Sequence, residues 1–165
     1  YARENDIPYL GLCLGMQISV IEYARDVAGI EDANSREFDE NGKHLVIDLM
    51  EDQMRIVRKG GTMRLGAYPC KIVKGTMLEK AYGLKQVDER HRHRFEFNNA
   101  YKDVLSKAGL KISGTSPDGA IVEAVEEPKN RFHVGVQFHP EFKSRPNKAH
   151  PLFREFITAC VDKQQ

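Results

Sequence analysis

The sequence carries almost no net charge: 25 Lys and Arg stand against 24 Asp and Glu, leaving +1. A chain so balanced has no general electrostatic drive toward nucleic acid or an anionic membrane surface, and neither is expected as a partner. No apolar stretch approaches the roughly 18 residues of a membrane span, and no signal-peptide pattern is found. Cysteine is scarce. Cys13, Cys70 and Cys160 are odd in number, widely spread and in no CxxC pairing, which suits free thiols in a reducing compartment. The cytoplasm is the expected location. Repeats, low-complexity tracts and linker-like stretches are all lacking, so the 165 residues suit one domain with its own core. An opening methionine is lacking too. "YARENDIP" reads as the end of a helix running into a strand, so N-terminal strands, and a further domain, are expected to be missing from this chain.

What is present alternates strands with helices. Ile7 to Leu12 is a short apolar run that suits a strand buried on both faces. From Gly15, Met16, Ile18, Val20, Ile21, Ala24 and Val27 recur at helical spacing, with Gly29 as a stop. "GIEDANSREFDENGKH" is polar and rich in turn formers, a loop long enough to be functional. "HLVIDLM" and "RLGAYPCKIV" read as strands, the second introduced by the turn "KGGT". "RHRHRFEF" alternates, with Arg90, Arg92, Arg94 and Glu96 on one face and His91, His93, Phe95 and Phe97 on the other. "YKDVLSKAGL" reads as a helix ended by Gly109. "LKISGTS", "AIVEAVEE" and "FHVGVQF" follow as strands, and "HPLFREFITACV" closes as a helix with Pro151 in its first turn. The pattern implies an α/β sheet with helical cover.

Cys13 falls where the first strand ends and the first helix starts. A side chain there points out at the carboxyl edge of the sheet, where open α/β folds bind ligands. Gly11 and Gly15 permit a sharp turn of the nucleophile-elbow kind. The helix dipole favours a thiolate at this position, and the Leu14 amide points to the same space as an oxyanion donor. G-x-C-x-G alone equally describes an inert cysteine beside a glycine turn. A thiol nucleophile needs a base, and His139 in "VGVQFHPE" lies at the end of a buried strand. Pro140 keeps it extended, and Glu141 is placed to turn back toward its imidazole. The division of labour is then Cys13 as nucleophile, His139 as base and later acid, and Glu141 as the orienting carboxylate.

Other segments invite other readings. A basic strand face such as "RHRHR" can grip phosphates, but Glu89 and Glu96 flank it in a near-neutral chain. His91 and His93 share a face, yet no third ligand lies at a metal-site spacing, and no metal is expected. "KGGTMRLG" lacks the Walker spacing of a phosphate loop. Cys70 and Cys160 read as core thiols.

"GLCLGMQ" and "QFHPEF" resemble the two signature stretches of class I (triad-type) glutamine amidotransferases, and the resemblance covers essentially the whole chain, residues 1–165, as one partial amidotransferase domain. It implies a flavodoxin-like α/β fold with a mostly parallel central sheet flanked by helices. The activity it implies is attack of a cysteine on the side-chain amide of L-glutamine, a glutamyl thioester, and release of ammonia. "ANSREF", "GGTMRLG" and "ERHRHRFEFNN" further resemble one member, whose amidotransferase domain follows a synthase domain that activates UTP with ATP and Mg and receives the ammonia. By motif position, Cys13, His139 and Glu141 correspond to the triad. Leu14, Gly15, Met16 and Gln17 would line the glutamine site, and Glu37 and Arg94 would meet the substrate's α-amino and α-carboxylate ends. That suits the chemistry, since free glutamine is a zwitterion and arginine holds a planar carboxylate at two points. Taken alone, Glu37 reads first as a solvated loop acid.

The resemblance implies no cofactor in this chain, a synthase domain of the same polypeptide as partner, and a homo-tetramer. The family's glycine-rich segment upstream of the nucleophile, a second oxyanion donor, is not found here. Losing one such donor costs about two to three powers of ten in rate, so this chain alone is expected to be a weak or inactive glutaminase. Two rivals remain at this point: an amidotransferase or γ-glutamyl hydrolase with another acceptor, and a catalytically silent interaction module.

Overall fold

The computed structural model describes residues 1–49 and 63–162. The apolar run after Pro8 is extended, as its composition requires, and forms β1 (Tyr9–Leu12). The chain then turns at Cys13 directly into α1 (Leu14–Asp26). β2 (Ala33–Ser35), a three-residue strand inside the expected long loop, and β3 (His44–Leu49) follow. The turn "KGGT" and Met50 lie outside the described residues. β4 (Arg64–Ile72) leads to α2 (Met77–Tyr82), then to β5 (Gln86–His93) and β6 (Phe95–Phe97). A 3-10 turn at Asn99–Tyr101 enters α3 (Lys102–Ala108), and β7 (Lys111–Thr115), β8 (Val122–Glu126) and β9 (His133–Val136) follow. A second 3-10 turn at Pro140–Phe142 precedes α4 (Pro151–Val161).

α2 has no counterpart in the periodicity reading, although its start signal is local. Thr76 caps the helix by accepting from the Glu79 amide at 3.1 Å, and the Glu79 carboxylate reaches back to the Gly75 amide at 2.7 Å, one residue before the cap. Six residues are too few to display a helical stripe. Gly83, at φ 64°, closes the helix in the left-handed region that glycine adopts without strain.

Six strands form one sheet in the order β1-β9-β8-β7-β4-β5, and β2-β3-β6 form a second. The expectation of a mostly parallel sheet is corrected among the described residues. Only β1 with β9 and β2 with β3 pair in parallel; the other pairs are antiparallel. The reason is connection length. β7 and β8 are joined through "SPDG", and β8 and β9 by an equally tight loop, whereas parallel neighbours need a crossover of about a dozen residues. The large sheet also curls: the His139 amide, beyond the end of β9, donates to the Arg90 carbonyl of edge strand β5 at 2.8 Å.

"RHRHRFEF" is likewise not one strand. Up to Arg94 the alternation stands, with His91 and His93 buried and the three arginines exposed. At Arg94 the chain leaves the large sheet for the small one, and Glu96 turns inward beside Arg64. A change of sheet resets which side is inside, and no local pattern announces it.

Two apolar clusters flank the large sheet. Met16, Val20, Ile21 and Ala24 of α1 pack with Val46, Ile47, Leu105 and Val125. Cys70, Leu78, Val134, Val136, Phe138 and Leu152 fill the other side. Each large aliphatic side chain so buried contributes about 1.5–3 kcal/mol. Cys70 is a core thiol as expected, whereas Cys160 is only half-buried, near the end of α4.

α1 lies hard against β1. A Cβ built on Gly11 would stand 2.6 Å from the Gly15 carbonyl carbon and 2.8 Å from the Met16 nitrogen, both backbone atoms that cannot swing aside. Gly11→Ala is therefore expected to destabilise the protein by about 2–3 kcal/mol, with α1 displaced from the strand. Urea unfolding checks this; a change below about 0.5 kcal/mol would show that the contact yields freely.

Candidate active site

Cys13 has φ 50° and ψ −102°, a conformation that L residues other than glycine rarely hold. The surroundings enforce it. The Cys13 amide donates to the Val136 carbonyl at 2.8 Å, tying the bend to β9, and the Tyr9 hydroxyl donates to the Gly15 carbonyl at 2.7 Å. The thiol stands at the N-terminal end of α1 with the amides of the first turn beneath it. Its side-chain hydrogen-bond partner is Gln137, whose Nε2 lies 3.5 Å from Sγ. Burial pushes the thiol above its ordinary value; the Leu14 amide and Gln137 pull it down, and the carboxylates of Glu141 and Glu37 push it up again. The net direction corrects the expectation that the helix end alone would favour a thiolate. At this site burial outweighs the amide donors.

β1 and β9 are parallel neighbours, so both end at the same rim. Cys13 follows one end, and Gln137, Phe138 and His139 follow the other. His139 Nδ1 is 2.6 Å from Glu141 Oε1. A carboxylate oxygen only accepts, so Nδ1 donates, and the neutral ring that does so carries its lone pair on Nε2. That Nε2 is buried and has no partner among the described residues. The imidazole stacks on Phe142 with ring centroids 5.0 Å apart, and the amide bond to Arg90 pins the turn. His139 is thus held in one tautomer with a free acceptor at the sheet rim where the thiol stands.

The remaining expected residues divide. Leu14 is exposed at the mouth of the elbow and Gly15 is half-buried. Met16 is fully buried against Gly135, and Gln17 is nearly so, with its Nε2 donating to the Phe95 carbonyl. Glu37, exposed just beyond β2, is close enough for its charge to act on the Cys13 thiol. Arg94 is exposed at the junction of the two sheets and makes no salt bridge among the described residues. Glu37 and Arg94 thus supply an exposed anion and an exposed cation, the first within electrostatic reach of the thiol.

The histidine face of β5 turns inward to structural work. Phe95 offers only a carbonyl to His93 Nδ1 at 3.2 Å, so that nitrogen carries the proton; His93 Nε2 then accepts from His91 Nδ1 at 2.9 Å. Burial, with Arg64 nearby, pulls both imidazoles well below their ordinary range and keeps them neutral. Arg64 donates to Glu123 Oε1 at 2.6 Å behind them. Among the described residues no three His, Cys, Asp or Glu side chains cluster as a metal site would need. None of the described helices is long and apolar enough to cross a membrane.

Sequence reasoning passed over Gln137 and Glu123. The signal was there in part: each is a polar residue with apolar neighbours on both sides, in "FHVGVQF" and "AIVEAVEE", and such residues need partners when buried. Who those partners are depends on the sheet order.

A strained thiol on a strand-to-helix elbow, with a carboxylate-oriented imidazole at the end of the parallel neighbour, places the protein in the α/β nucleophile-elbow class. Within that class, the chain belongs to the class-I glutamine amidotransferase family, whose model matches residues 1–159. It is 62% identical over 161 residues to a CTP synthase of Carboxydothermus hydrogenoformans, covering 98% of this chain and 30% of that protein. A CTP synthase of Rubrobacter xylanophilus is also 62% identical over 161 residues, with 98% of this chain and 29% of that protein covered. The chain thus spans under a third of the length of these curated relatives. The glutaminase domain of Trypanosoma brucei CTPS, solved with bound acivicin, superposes with a TM-score of 0.92 at 44% identity, covering 98% of this chain and 62% of that one. The expected amidotransferase fold therefore stands, with the strand directions given above.

Proposed function

We propose that this chain is the glutaminase part of a CTP synthase. Cys13 Sγ attacks the side-chain amide carbon of L-glutamine while His139 Nε2 takes the thiol proton and passes it to the departing ammonia. The glutamyl thioester left on Cys13 is then hydrolysed by water that His139 deprotonates, releasing glutamate. Glu141 holds the Nδ1 proton and steadies the imidazolium that forms in each step. The Leu14 amide donates to the developing oxyanion. Arg94 takes the substrate's α-carboxylate and Glu37 its α-amino group, with Leu14 and Gly15 walling the pocket and Met16 and Gln17 holding it from behind.

The ammonia then aminates UTP, activated with ATP and Mg in a synthase domain of the same polypeptide, to give CTP. Cytoplasmic location and a homo-tetramer belong to the same reading. No step assigned to this chain uses a metal or cofactor.

The rim carries the proposal: Cys13 strained at the end of β1, and His139, with its acceptor nitrogen free, just past the end of β9. A glutamine-mimicking electrophile such as acivicin, followed by site-resolved mass spectrometry, tests it. Labelling is expected at Cys13 alone, blocked by glutamine and abolished in Cys13→Ala. Label spread over Cys13, Cys70 and Cys160, or indifferent to glutamine, would refute the reading.

A further inference from the structure

Gln137 is fully buried two residues before the candidate base, and the mechanism above leaves it without a task. Its neighbour Gln17 is 2% exposed. Together they form a chain of amides leading from the Arg94 junction to the nucleophile. Gln17 Nε2 lies 3.0 Å from the Phe95 carbonyl and 3.3 Å from Gln137 Oε1, and Gln137 Nε2 lies 3.5 Å from Cys13 Sγ. The direction of these bonds follows from their first member. The Phe95 carbonyl can only accept, so Gln17 must turn its NH2 that way. The second proton of that NH2 then meets Gln137, which must answer with its carbonyl oxygen. Gln137 has its NH2 left over, and that NH2 faces the sulfur.

We propose that Gln137 is a catalytic hydrogen-bond donor to the Cys13 sulfur, and that Gln17 is the positioning residue that fixes which end of the Gln137 amide the sulfur meets. The inference rests on the assignment of Cys13 as nucleophile. Its physical sense lies in the charges around the thiol. Burial and the carboxylates of Glu141, in the turn after β9, and Glu37, beyond β2, disfavour a thiolate; His139 is the titratable base at the same rim. The Leu14 amide serves one side of the sulfur. Gln137 supplies a second, uncharged donor from a buried position where water cannot replace it. The same chain of bonds starts at Phe95, the residue after Arg94, so the segment that would grip the substrate carboxylate also holds the nucleophile's donor in place.

The test is the pH profile of Cys13 alkylation by iodoacetamide on the whole chain, read site by site by mass spectrometry. Half-buried Cys160 serves as the internal reference and buried Cys70 as the report on folding. Gln137→Met keeps length and volume but has no donor. It is expected to lower Cys13 alkylation near neutral pH about tenfold and to move the profile upward by about one pH unit, with Cys160 unchanged. Gln17→Met is expected to shift it in the same direction by less, and the double variant to match Gln137→Met alone. Gln137→Glu, which keeps the shape and the bond from Gln17 while replacing the donor with an acceptor, provides a second route to the same upward shift. A Cys13 profile unmoved in both Gln137 variants would overturn the proposal. So would Cys70 becoming reactive in both, since the pair would then be holding the fold rather than the sulfur. Alkylation needs no glutamine, so the two readings part. A shifted profile with no protection by glutamine sinks the glutaminase assignment alone; protection without a shift sinks this one.

Discussion

Cys13→Ala is expected to lower glutamine hydrolysis by at least about 10⁴-fold, the scale on which thiol and hydroxyl nucleophile enzymes fail when the attacking atom is removed. The loss is chemical rather than structural. Alanine carries a Cβ like cysteine, so the backbone keeps its φ of 50° and gains no relief of strain. The bonds that hold the bend, from the Cys13 amide to Val136 and from Tyr9 to Gly15, involve no sulfur. The sulfur's bonds from the Leu14 amide and from Gln137 are lost, and the second leaves a buried amide donor unpaired at a cost of about 1–2 kcal/mol. Glutamate release by the full-length protein, followed with urea unfolding of the same preparation, separates the two effects. Residual hydrolysis within tenfold of the parent would remove Cys13 from the mechanism.

The second large effect lies behind the site. Arg64 reaches Glu123, which is fully buried, at 2.6 Å and stands 3.8 Å from Glu96, which is nearly so. Its guanidinium also covers the Tyr68 ring at 4.4 Å from the centroid. Arg64→Met keeps much of the volume and removes the charge, stranding two carboxyl groups without a cation. Breaking a buried pair from one side costs about 3–5 kcal/mol, and that loss is expected here in denaturant unfolding near pH 7.

The pH dependence has a definite sign. Burial already pushes the Glu96 carboxyl up to about 7, with Arg64 opposing and Glu123 adding to the rise, and Glu123 is itself raised by burial. An acid raised in the folded state gives its full contribution below its unfolded value and loses it as the pH climbs through the folded one. Without Arg64 both carboxyls rise further, so the deficit of Arg64→Met is expected to grow from pH 5 to pH 8. Adding Glu123→Gln, which removes one stranded charge, is expected to recover part of the loss. A deficit that is flat with pH, or below about 1 kcal/mol, would mean that water reaches these groups.

Much of the site was legible before any coordinates. Gly11, before Cys13, read as part of a sharp bend, and its missing Cβ lets α1 touch β1 backbone against backbone. Glu141 was placed on His139 by two residues of spacing and an intervening proline, a geometry the chain carries locally. Glu37 and Arg94 were named by motif position, and the fold leaves both exposed. The side chains of Met16 and Gln17 turn into the interior, Met16 against Gly135 and Gln17 toward the Phe95 carbonyl, partners that motif position does not reveal.

Local pattern was enough for the elements with strong periodicity: α1, α4, the buried strands, and the bend that carries the thiol. Periods of two and 3.6 are written in neighbouring residues, and so are caps and turn formers. It was not enough for strand direction, for the break at Arg94, or for what the inward polar residues meet. Glu123 finds Arg64 across 59 positions within the large sheet, and Gln137 finds Cys13 across 124 because β1 and β9 pair in parallel and end at one rim. Partners so far apart are chosen by the order in which strands pair. That order is settled by the packing of the whole chain at once, through burial that no short segment can complete alone.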